Sequence, residues 1–383
     1  MMEIVSYGRR AGPASGPATQ ARPAGPGRPA APSGAATDAS RVAWADCAKG
    51  ICIVLVVMMH STLGVEQEYG REGFMHWAVA FARPFRMPDF FLLSGLFLSR
   101  VIDRDWRSYA DKRVVHFAYF YVLWLVIQSA LKFSQTSGGT ATGFLTHLAV
   151  GLVEPYAMLW FIYLLAAFSI VTKLLRGVPM PILFAAGAAL QIMPVSSGSF
   201  LLNEFCDRWV YFLAGYLFAP HVFRLAAAAR RHPVLALLGL AAWAFGNGVV
   251  ALAPIEIAGR SHVAELPVVS LVAGLVGAAA IVAFAAVLTR TPLAAPFRYA
   301  GENSIAVYLT FFLPMAAVRT VLVKTGIVAD AGWAAAIVTL AAILFPLLLE
   351  RLVRETHLSF LYRRPAWAHI PQRPRPTRLQ PAE

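Results

Sequence analysis

The chain has 383 residues, of which 58% are hydrophobic and 14% are charged, and its mean hydropathy is +0.61. This apolar excess excludes an ordinary soluble domain and predicts a polytopic membrane protein. The net charge of +13 would by itself suggest a nucleic-acid partner, but the distribution of Lys and Arg described below excludes one. The three cysteines form no CxxC pair, so we expect neither a disulfide framework nor a metal site.

Three regions follow from composition. Residues 1–40 are dominated by Ala, Pro, Gly and Ser, and we expect a disordered cytoplasmic tail because such a segment cannot bury enough apolar surface to fold. Residues 41–353 are predicted to form the membrane domain. Residues 354–383 are predicted to be a basic cytoplasmic tail, with no further domain after it.

The membrane domain contains ten apolar segments near the roughly 20 residues that a bilayer core requires. The sequence therefore predicts an all-α fold of about ten transmembrane helices around a polar cavity. The predicted spans are 44–64, 74–99, 114–131, 157–173, 179–194, 208–223, 233–253, 266–289, 303–323 and 332–350.

The orientation follows from the basic residues that flank these spans. With the N-terminus in the cytoplasm, 24 of the 33 Lys and Arg residues lie at inner ends and four lie in outer loops. This asymmetry predicts that both termini are cytoplasmic, and it attributes the basic excess to topology instead of to a nucleic-acid surface.

The first predicted span carries three polar side chains, Asp46, Lys49 and His60. A charged residue in a spanning helix costs at least about 2.5 kcal/mol and usually faces an interior cavity. At about 100° per residue, Lys49 and His60 share one helix face, about 16 Å apart along the axis. The sequence therefore predicts a polar face along this helix, with Lys49 toward the cytoplasm and His60 toward the periplasm.

The second predicted span is irregular, because Arg83, Arg86 and Asp89 alternate with Pro84 and Pro88. Proline within a helix removes a backbone hydrogen bond and kinks or breaks the helix. Irregular backbone at membrane depth is tolerated only where it is surrounded by protein or a water-filled cavity. We therefore predict a broken helix that exposes two guanidinium groups to a cavity.

Several motifs together are similar to those of the bacterial membrane acyltransferase family 3, which includes O-acetyltransferases of surface polysaccharides and a glucan succinyltransferase. The matching residues are Asp46, Lys49-Gly50, His60, Arg83-x-x-Arg86, Phe90-Phe91-Leu92-Leu93-Ser94-Gly95, Leu159-Trp160-Phe161, Gly301-Glu302-Asn303-Ser304 and Val307-Tyr308-Leu309. The resemblance covers nearly all of residues 41–350. One departure is Thr310, where many members carry a histidine.

The resemblance implies an inner-membrane O-acyltransferase that moves an acyl group, acetyl by preference, from cytoplasmic acyl-CoA to a hydroxyl of a glycan or related acceptor at the periplasmic side. His60 would be the catalytic base or would form an acyl-histidine, and the sequence does not choose between these routes. Lys49 would bind the phosphates of coenzyme A, and Arg83 and Arg86 would bind the donor or polarise the reacting carbonyl. The supporting residues would be Asp46, Asp89, Trp160, Glu302 and Asn303.

Each of these residues also has a structural interpretation. His60 could bond a neighbouring helix, Lys49 could anchor its helix at the interface, and the two arginines could pair with Asp89. Trp160, Glu302 and Asn303 are equally explained by a cavity wall or a helix cap, and Ser94-Gly95 is interpreted as a close-packing site.

Two other functions remain open from the sequence. A transporter or flippase for an anionic or lipid-linked glycan would also need buried cations and broken helices. Thr310 could instead mark a non-catalytic member that acts as a partner protein. The lipid bilayer is the one partner common to all three hypotheses.

Overall fold

The computed structural model describes residues 42–193, 195–257 and 259–371, and these residues are almost entirely helical. The whole predicted N-terminal tail (1–40) and the end of the predicted C-terminal tail (372–383) lie outside the described residues. The first nine helices are α1 (Ala43–Tyr69), α2 (Met75–Ala82), α3 (Arg86–Leu96), α4 (Trp106–Ala110), α5 (His116–Leu131), α6 (Phe133–Ser137), α7 (Ala141–Gly151), α8 (Trp160–Leu174) and α9 (Met180–Ile192).

The remaining elements include a short hairpin between two long helices. They are α10 (Phe200–Leu217), α11 (Ala219–Arg231), α12 (Pro233–Leu252), β1 (Pro254–Ile257), β2 (Arg260–His262), α13 (Pro267–Leu288), α14 (Ala294–Glu302), α15 (Ser304–Thr310), α16 (Phe312–Thr325) and α17 (Ala331–Val353). The two strands are antiparallel, with Pro254 opposite His262 and Ile257 opposite Arg260.

Six helical segments in the described residues are long and apolar enough to cross a bilayer, which makes the chain an all-α multi-pass membrane protein. They are Ala43–Tyr69, Trp106–Leu131, Ala157–Leu174, Pro233–Leu252, Pro267–Leu288 and Ala331–Val353. Two further pairs would raise the number to eight, if each pair is one span: α10 with α11, bent by 72°, and α15 with α16, bent by 50°.

The predicted number of ten spans is not confirmed. The second predicted span is divided into α2 and α3, of 8 and 11 residues, and α9 has only 13 residues, about 20 Å of helix. The predicted span 208–223 crosses the bend at Phe218, and the helix it belongs to begins at Phe200. The predicted break between Arg83 and Arg86 is confirmed.

Helix α1 organises the membrane domain, and it packs closely against α2, α3, α13, α14, α15, α16 and α17. Its first half meets α14 so closely that a Cβ atom at Gly50 would collide with the backbone of Phe297, and one at Gly301 would collide with the carbonyl of Asp46. Two glycines of the family motifs therefore allow α1 and α14 to cross in backbone contact, as small residues do between membrane helices.

A second close crossing joins α3 to α10. A Cβ atom at Gly95 would collide with the carbonyl of Phe212, and one at Gly215 would collide with the carbonyl of Leu92. The interpretation of Gly95 as a close-packing residue is therefore confirmed. This crossing fixes α10 beside the broken span, and it is from α10 that a further arginine reaches the site described below.

The chain beyond α17 packs against the helices up to residue 371. The side chain of Arg364 is 4% exposed and donates to Asp111 Oδ2 at 2.8 Å, and the backbone nitrogen of Ile370 donates to Asp111 Oδ1 at 2.8 Å. Tyr362 OH lies 2.7 Å from Thr310 Oγ1. The described part of the predicted C-terminal tail is therefore attached to the membrane domain through buried polar contacts.

Candidate active site

His60 lies in the second half of α1 and lines a cavity of about 150 Å³, which we call the His60 cavity. Its ring is 5.6 Å from the ring of Phe311, centroid to centroid. Neither imidazole nitrogen makes a hydrogen bond to another described residue, so both are open to a molecule in the cavity. The residues that matter most for its chemistry are His60, Arg86, Trp160, Arg208, Tyr308 and Phe311.

Arg86 is the first residue of α3, directly after the break in the second span. Its Nε and Nη1 atoms are buried and have no hydrogen-bond partner within the described chain. Its charge is close enough to His60 for the two to interact. A buried donor without a partner carries a desolvation cost of about 1–3 kcal/mol, or more when charged, so this guanidinium is poised for an acceptor that binds in the cavity.

Asp89 does not neutralise Arg86 by a direct ion pair. Asp89 is 1% exposed, and its two carboxylate oxygens make no hydrogen bond of normal geometry within the described residues. The structure therefore does not show the structural ion pair between Arg86 and Asp89 that the sequence left open.

Arg83 lies on the other side of the break and has partners of its own. Its Nη1 donates to Glu265 Oε1 at 3.1 Å and lies 3.1 Å from His262 Nδ1. Burial acts to raise the pKa of Glu265, but a hydrogen bond from the backbone of Ser261 and the charge of Arg83 together hold that pKa below its ordinary value. The two arginines of the Arg-x-x-Arg motif therefore have different surroundings, one paired and one open.

A second cavity of about 290 Å³ adjoins the first, and we call it the arginine cavity. Arg83, Arg86, Arg208 and Arg260 all line it. Arg86, Met87 and Arg208 line both cavities, so these three side chains form their common wall.

Arg208 is the site residue that the sequence analysis missed. The predicted span 208–223 begins at this residue, so Arg208 is expected at the end of a span. The structure instead places it in the middle of α10. Its Nε donates to Glu204, one turn earlier, and its guanidinium lies 5.3 Å from the ring of Trp160. One signal in the sequence could have identified it: three charged residues lie close together in an apolar helix, namely Glu204, Asp207 and Arg208.

Trp160 was predicted as a supporting residue, and the structure places it in the wall of the His60 cavity. It opens α8, and its ring contacts both the guanidinium of Arg208 and the ring of Phe200. A cation held over an indole face is stabilised without losing its capacity to donate hydrogen bonds. Trp160 therefore positions Arg208 toward the two cavities.

Lys49 lies at the opposite end of the polar face of α1 and lines neither cavity. Its Nζ is 3.2 Å from Asp46 Oδ1 and 5.6 Å from the centre of the Phe97 ring, and its side chain is 31% exposed. The predicted pairing of Lys49 with Asp46 is present. Lys49 and His60 are thus not brought into one pocket, and any shared role requires a ligand that extends along α1.

Glu302 and Asn303 lie at the Lys49 end of α1, away from the His60 cavity. Glu302 is 3.8 Å from Arg298, and Asn303 accepts a hydrogen bond from Arg354 at 3.4 Å and donates to the carbonyl of Tyr299. These contacts stabilise the end of α14.

Thr310 is fully buried and does not line the His60 cavity, although its neighbour Phe311 does. Its hydroxyl is directed to Tyr362, whose ring stacks on Trp124. In this chain, position 310 therefore joins α15 to the C-terminal segment.

The comparisons with known proteins identify the family of this chain. The profile of the acyltransferase 3 family, described as an acyltransferase domain, matches residues 42–351. The chain belongs to this family of membrane acyltransferases.

Inner membrane protein YcfT of Escherichia coli (strain K12) is 27% identical over 239 residues, which are 53% of this chain and 65% of that relative. The chain thus matches just under two thirds of the relative's length. The apolar helices and this relative together support a multi-pass protein of the inner membrane. No solved structure matches the chain.

Proposed function

We propose that the protein is an O-acyltransferase that moves an acyl group, acetyl by preference, from acyl-CoA to a hydroxyl of a glycan or related acceptor. The observation that carries the proposal is the pairing of two open groups in one cavity of an acyltransferase domain. Within the described residues, the imidazole of His60 makes no hydrogen bond, and two buried nitrogens of the Arg86 guanidinium have no partner. A proton acceptor beside an unpaired cation is the arrangement that acyl transfer requires.

In this mechanism the neutral imidazole of His60 takes the proton of the acceptor hydroxyl as its oxygen attacks the thioester carbonyl. Negative charge then develops on the carbonyl oxygen, and the open donors of Arg86 stabilise it. The bond from carbon to sulfur breaks, and the proton passes from His60 to the departing thiolate. The products are the acyl ester and coenzyme A. An acyl-histidine would replace this single displacement by two.

The Lys49 end would admit the donor. Lys49 is partly exposed, and an ammonium suits a phosphate as a point charge. Since about 16 Å of helix separates Lys49 from His60, a donor held by its phosphates at Lys49 would have to extend along α1 to place its thioester in the His60 cavity. The excess of basic residues at this end favours entry from the cytoplasm and acceptor binding from the periplasm.

The test is a deletion strain that expresses the wild-type chain, His60→Gln or His232→Gln at matched levels. Acylation of its envelope glycans and lipids is measured by mass spectrometry. Removing a general base lowers the rate by about 10²–10⁴-fold, so we expect the His60→Gln strain to resemble the deletion strain. His232 is exposed and lines neither cavity, so His232→Gln should restore acylation. Normal acylation by a stable His60→Gln protein would overturn the role of His60.

A transporter or flippase is the second candidate, because four arginines around one cavity could hold an anionic cargo without any bond being made. The two functions differ in what happens to acyl-CoA. Purified protein should release coenzyme A from acetyl-CoA when envelope glycan is added if it is an acyltransferase. A flippase would leave acetyl-CoA intact and would not depend on His60 for cargo binding.

A further inference from the structure

The arginine cavity carries a strong excess of positive charge next to the proposed reaction centre. Four arginines line it against two acidic side chains, Asp207 and Glu265. Such an excess of one charge within a cavity favours the binding of an anion.

The four arginines are not equally engaged. Arg83 pairs with Glu265, and Arg208 pairs with Glu204. Arg86 keeps two buried nitrogens without partners, and Arg260 forms no ion pair with a described residue, although Asp207 is close enough for their charges to interact. Two positive groups are therefore available to a ligand, one deep in the cavity and one at its edge.

The cavity also offers a neutral hydrogen-bonding group. The Nε2 atom of Gln191 lies 3.4 Å from Ser270 Oγ, but its Oε1 atom is buried and has no partner within the described chain. An unpartnered amide oxygen is an acceptor for a hydroxyl. The cavity thus combines donors for an anion with an acceptor for a hydroxyl, as a charged sugar requires.

The position of the cavity suits an acceptor. Arg260 is exposed and belongs to strand β2, so the cavity reaches the surface at the hairpin between α12 and α13. That hairpin lies in a loop that the basic-residue distribution assigns to the periplasmic side. At their boundary, Arg86 and Arg208 belong to both cavities, so a molecule held in the arginine cavity lies next to the His60 cavity.

We propose that the arginine cavity is the acceptor subsite and that it selects a saccharide with an anionic group, a carboxylate or a phosphate, near the hydroxyl that is acylated. This rests on the proposed acyltransferase function and adds the class of acceptor. Arg260 binds the anion at the edge of the cavity, and Gln191 accepts a hydrogen bond from a sugar hydroxyl. Arg86, at the boundary with the His60 cavity, keeps its role at the reacting carbonyl, and Glu265 holds Arg83 away from the anion.

The experiment compares three probe acceptors on the purified full-length chain at saturating acetyl-CoA. They are methyl glucuronide, glucose 6-phosphate and the neutral methyl glucoside. Coenzyme A release gives kcat/KM for each. We expect at least one anionic probe to exceed the neutral probe by about tenfold or more, since a hydrogen bond to a charged group has this magnitude. The better of the two anionic probes identifies whether a carboxylate or a phosphate is preferred.

Two variants with opposite expected signs test the subsite. Arg260→Gln should reduce the preference for the anionic probe about tenfold, while KM for acetyl-CoA and kcat/KM for the neutral probe stay within about twofold. Glu265→Gln releases Arg83 from its carboxylate and should strengthen binding of the anionic probe. A residue with a merely structural role would not give a gain. Arg231→Gln, on the exposed end of α11, is the matched control and should change nothing.

Equal use of charged and neutral probes, or a rise in KM for acetyl-CoA in Arg260→Gln, would overturn the proposal. The second result would make the cavity a donor site.

Thermal shift with each probe in the absence of acetyl-CoA supplies a readout that is independent of turnover. If no coenzyme A is released but the anionic probe still binds and depends on Arg260, the acyltransferase function fails and the anion subsite stands. If turnover occurs without anion preference, the subsite fails and the function stands.

Discussion

The two ends of the polar face of α1 differ in how their polar groups are satisfied. At the His60 end, His60 and Arg86 face a cavity, and Arg86 retains two buried nitrogens that have no hydrogen-bond partner in the described part of the chain. At the Lys49 end, Lys49 pairs with Asp46, and the backbones of α1 and α14 are in contact. Buried polar groups are normally hydrogen-bonded. The open groups are therefore the ones that we propose as the reaction centre, whereas the satisfied ones stabilise helix packing.

Replacing Arg86 should give the largest difference in activity between the two ends. Removing one donor that stabilises a developing oxyanion lowers kcat by about 10²–10³-fold. We expect this reduction in Arg86→Gln, measured by coenzyme A release from acetyl-CoA. Arg298→Gln is the matched control at the Lys49 end, where Arg298 is half exposed and 3.8 Å from Glu302. Similar losses in both variants would remove the distinction between the ends.

The packing at the Lys49 end is tested by Gly301→Ala. The added Cβ would collide with the carbonyl of Asp46 and the nitrogen of Gly50, and neither backbone group can move without shifting a helix. Overpacking of this kind costs about 1–3 kcal/mol, so we expect a lower midpoint of thermal unfolding in detergent, with activity per folded molecule retained. Gly239→Ala in α12 is the control, because nothing lies within 4 Å of its added Cβ. An unchanged midpoint in Gly301→Ala would contradict the close crossing.

The next largest expected effect is on the KM for acetyl-CoA when Lys49 is replaced. If Lys49 holds a phosphate of the donor, Lys49→Gln should raise KM for acetyl-CoA about tenfold, the value of one charged hydrogen bond, and leave kcat within about twofold. Steady-state kinetics separate the two parameters. An unchanged KM would leave Lys49 as an interface anchor paired with Asp46 and would move donor binding elsewhere.

The sequence was sufficient for the elements that depend on local chemistry. The shared face of Lys49 and His60 follows from helix periodicity, and the break near Pro84 follows from the missing backbone donor. It was not sufficient for contacts between distant segments. The pairing of Arg83 with Glu265 joins residues 182 positions apart, and no local pattern indicates it. Arg208 was missed because the start of its helix was placed eight residues too late.

The number of spans could not be predicted for a related reason. Hydropathy detects apolar length, but it does not show where a helix bends. The apolar run that includes Phe218 continues through a 72° change of direction, and α9 remains too short to cross a bilayer alone. Bends and short helices are permitted where neighbouring helices satisfy the backbone, which is a property of the packed structure.

The smallest effect concerns Thr310, where many family members have histidine. Its hydroxyl contacts Tyr362 OH and not the His60 cavity, so Thr310→Val should leave kcat unchanged and lower the free energy of unfolding by about 1 kcal/mol, the net value of one hydrogen bond. A double-mutant cycle with Tyr362→Phe isolates this contact, because the double variant should be less destabilised than the sum of the two single ones. A large fall in kcat in Thr310→Val, with stability unchanged, would instead place position 310 in the reaction and extend the His60 end of the site into α15.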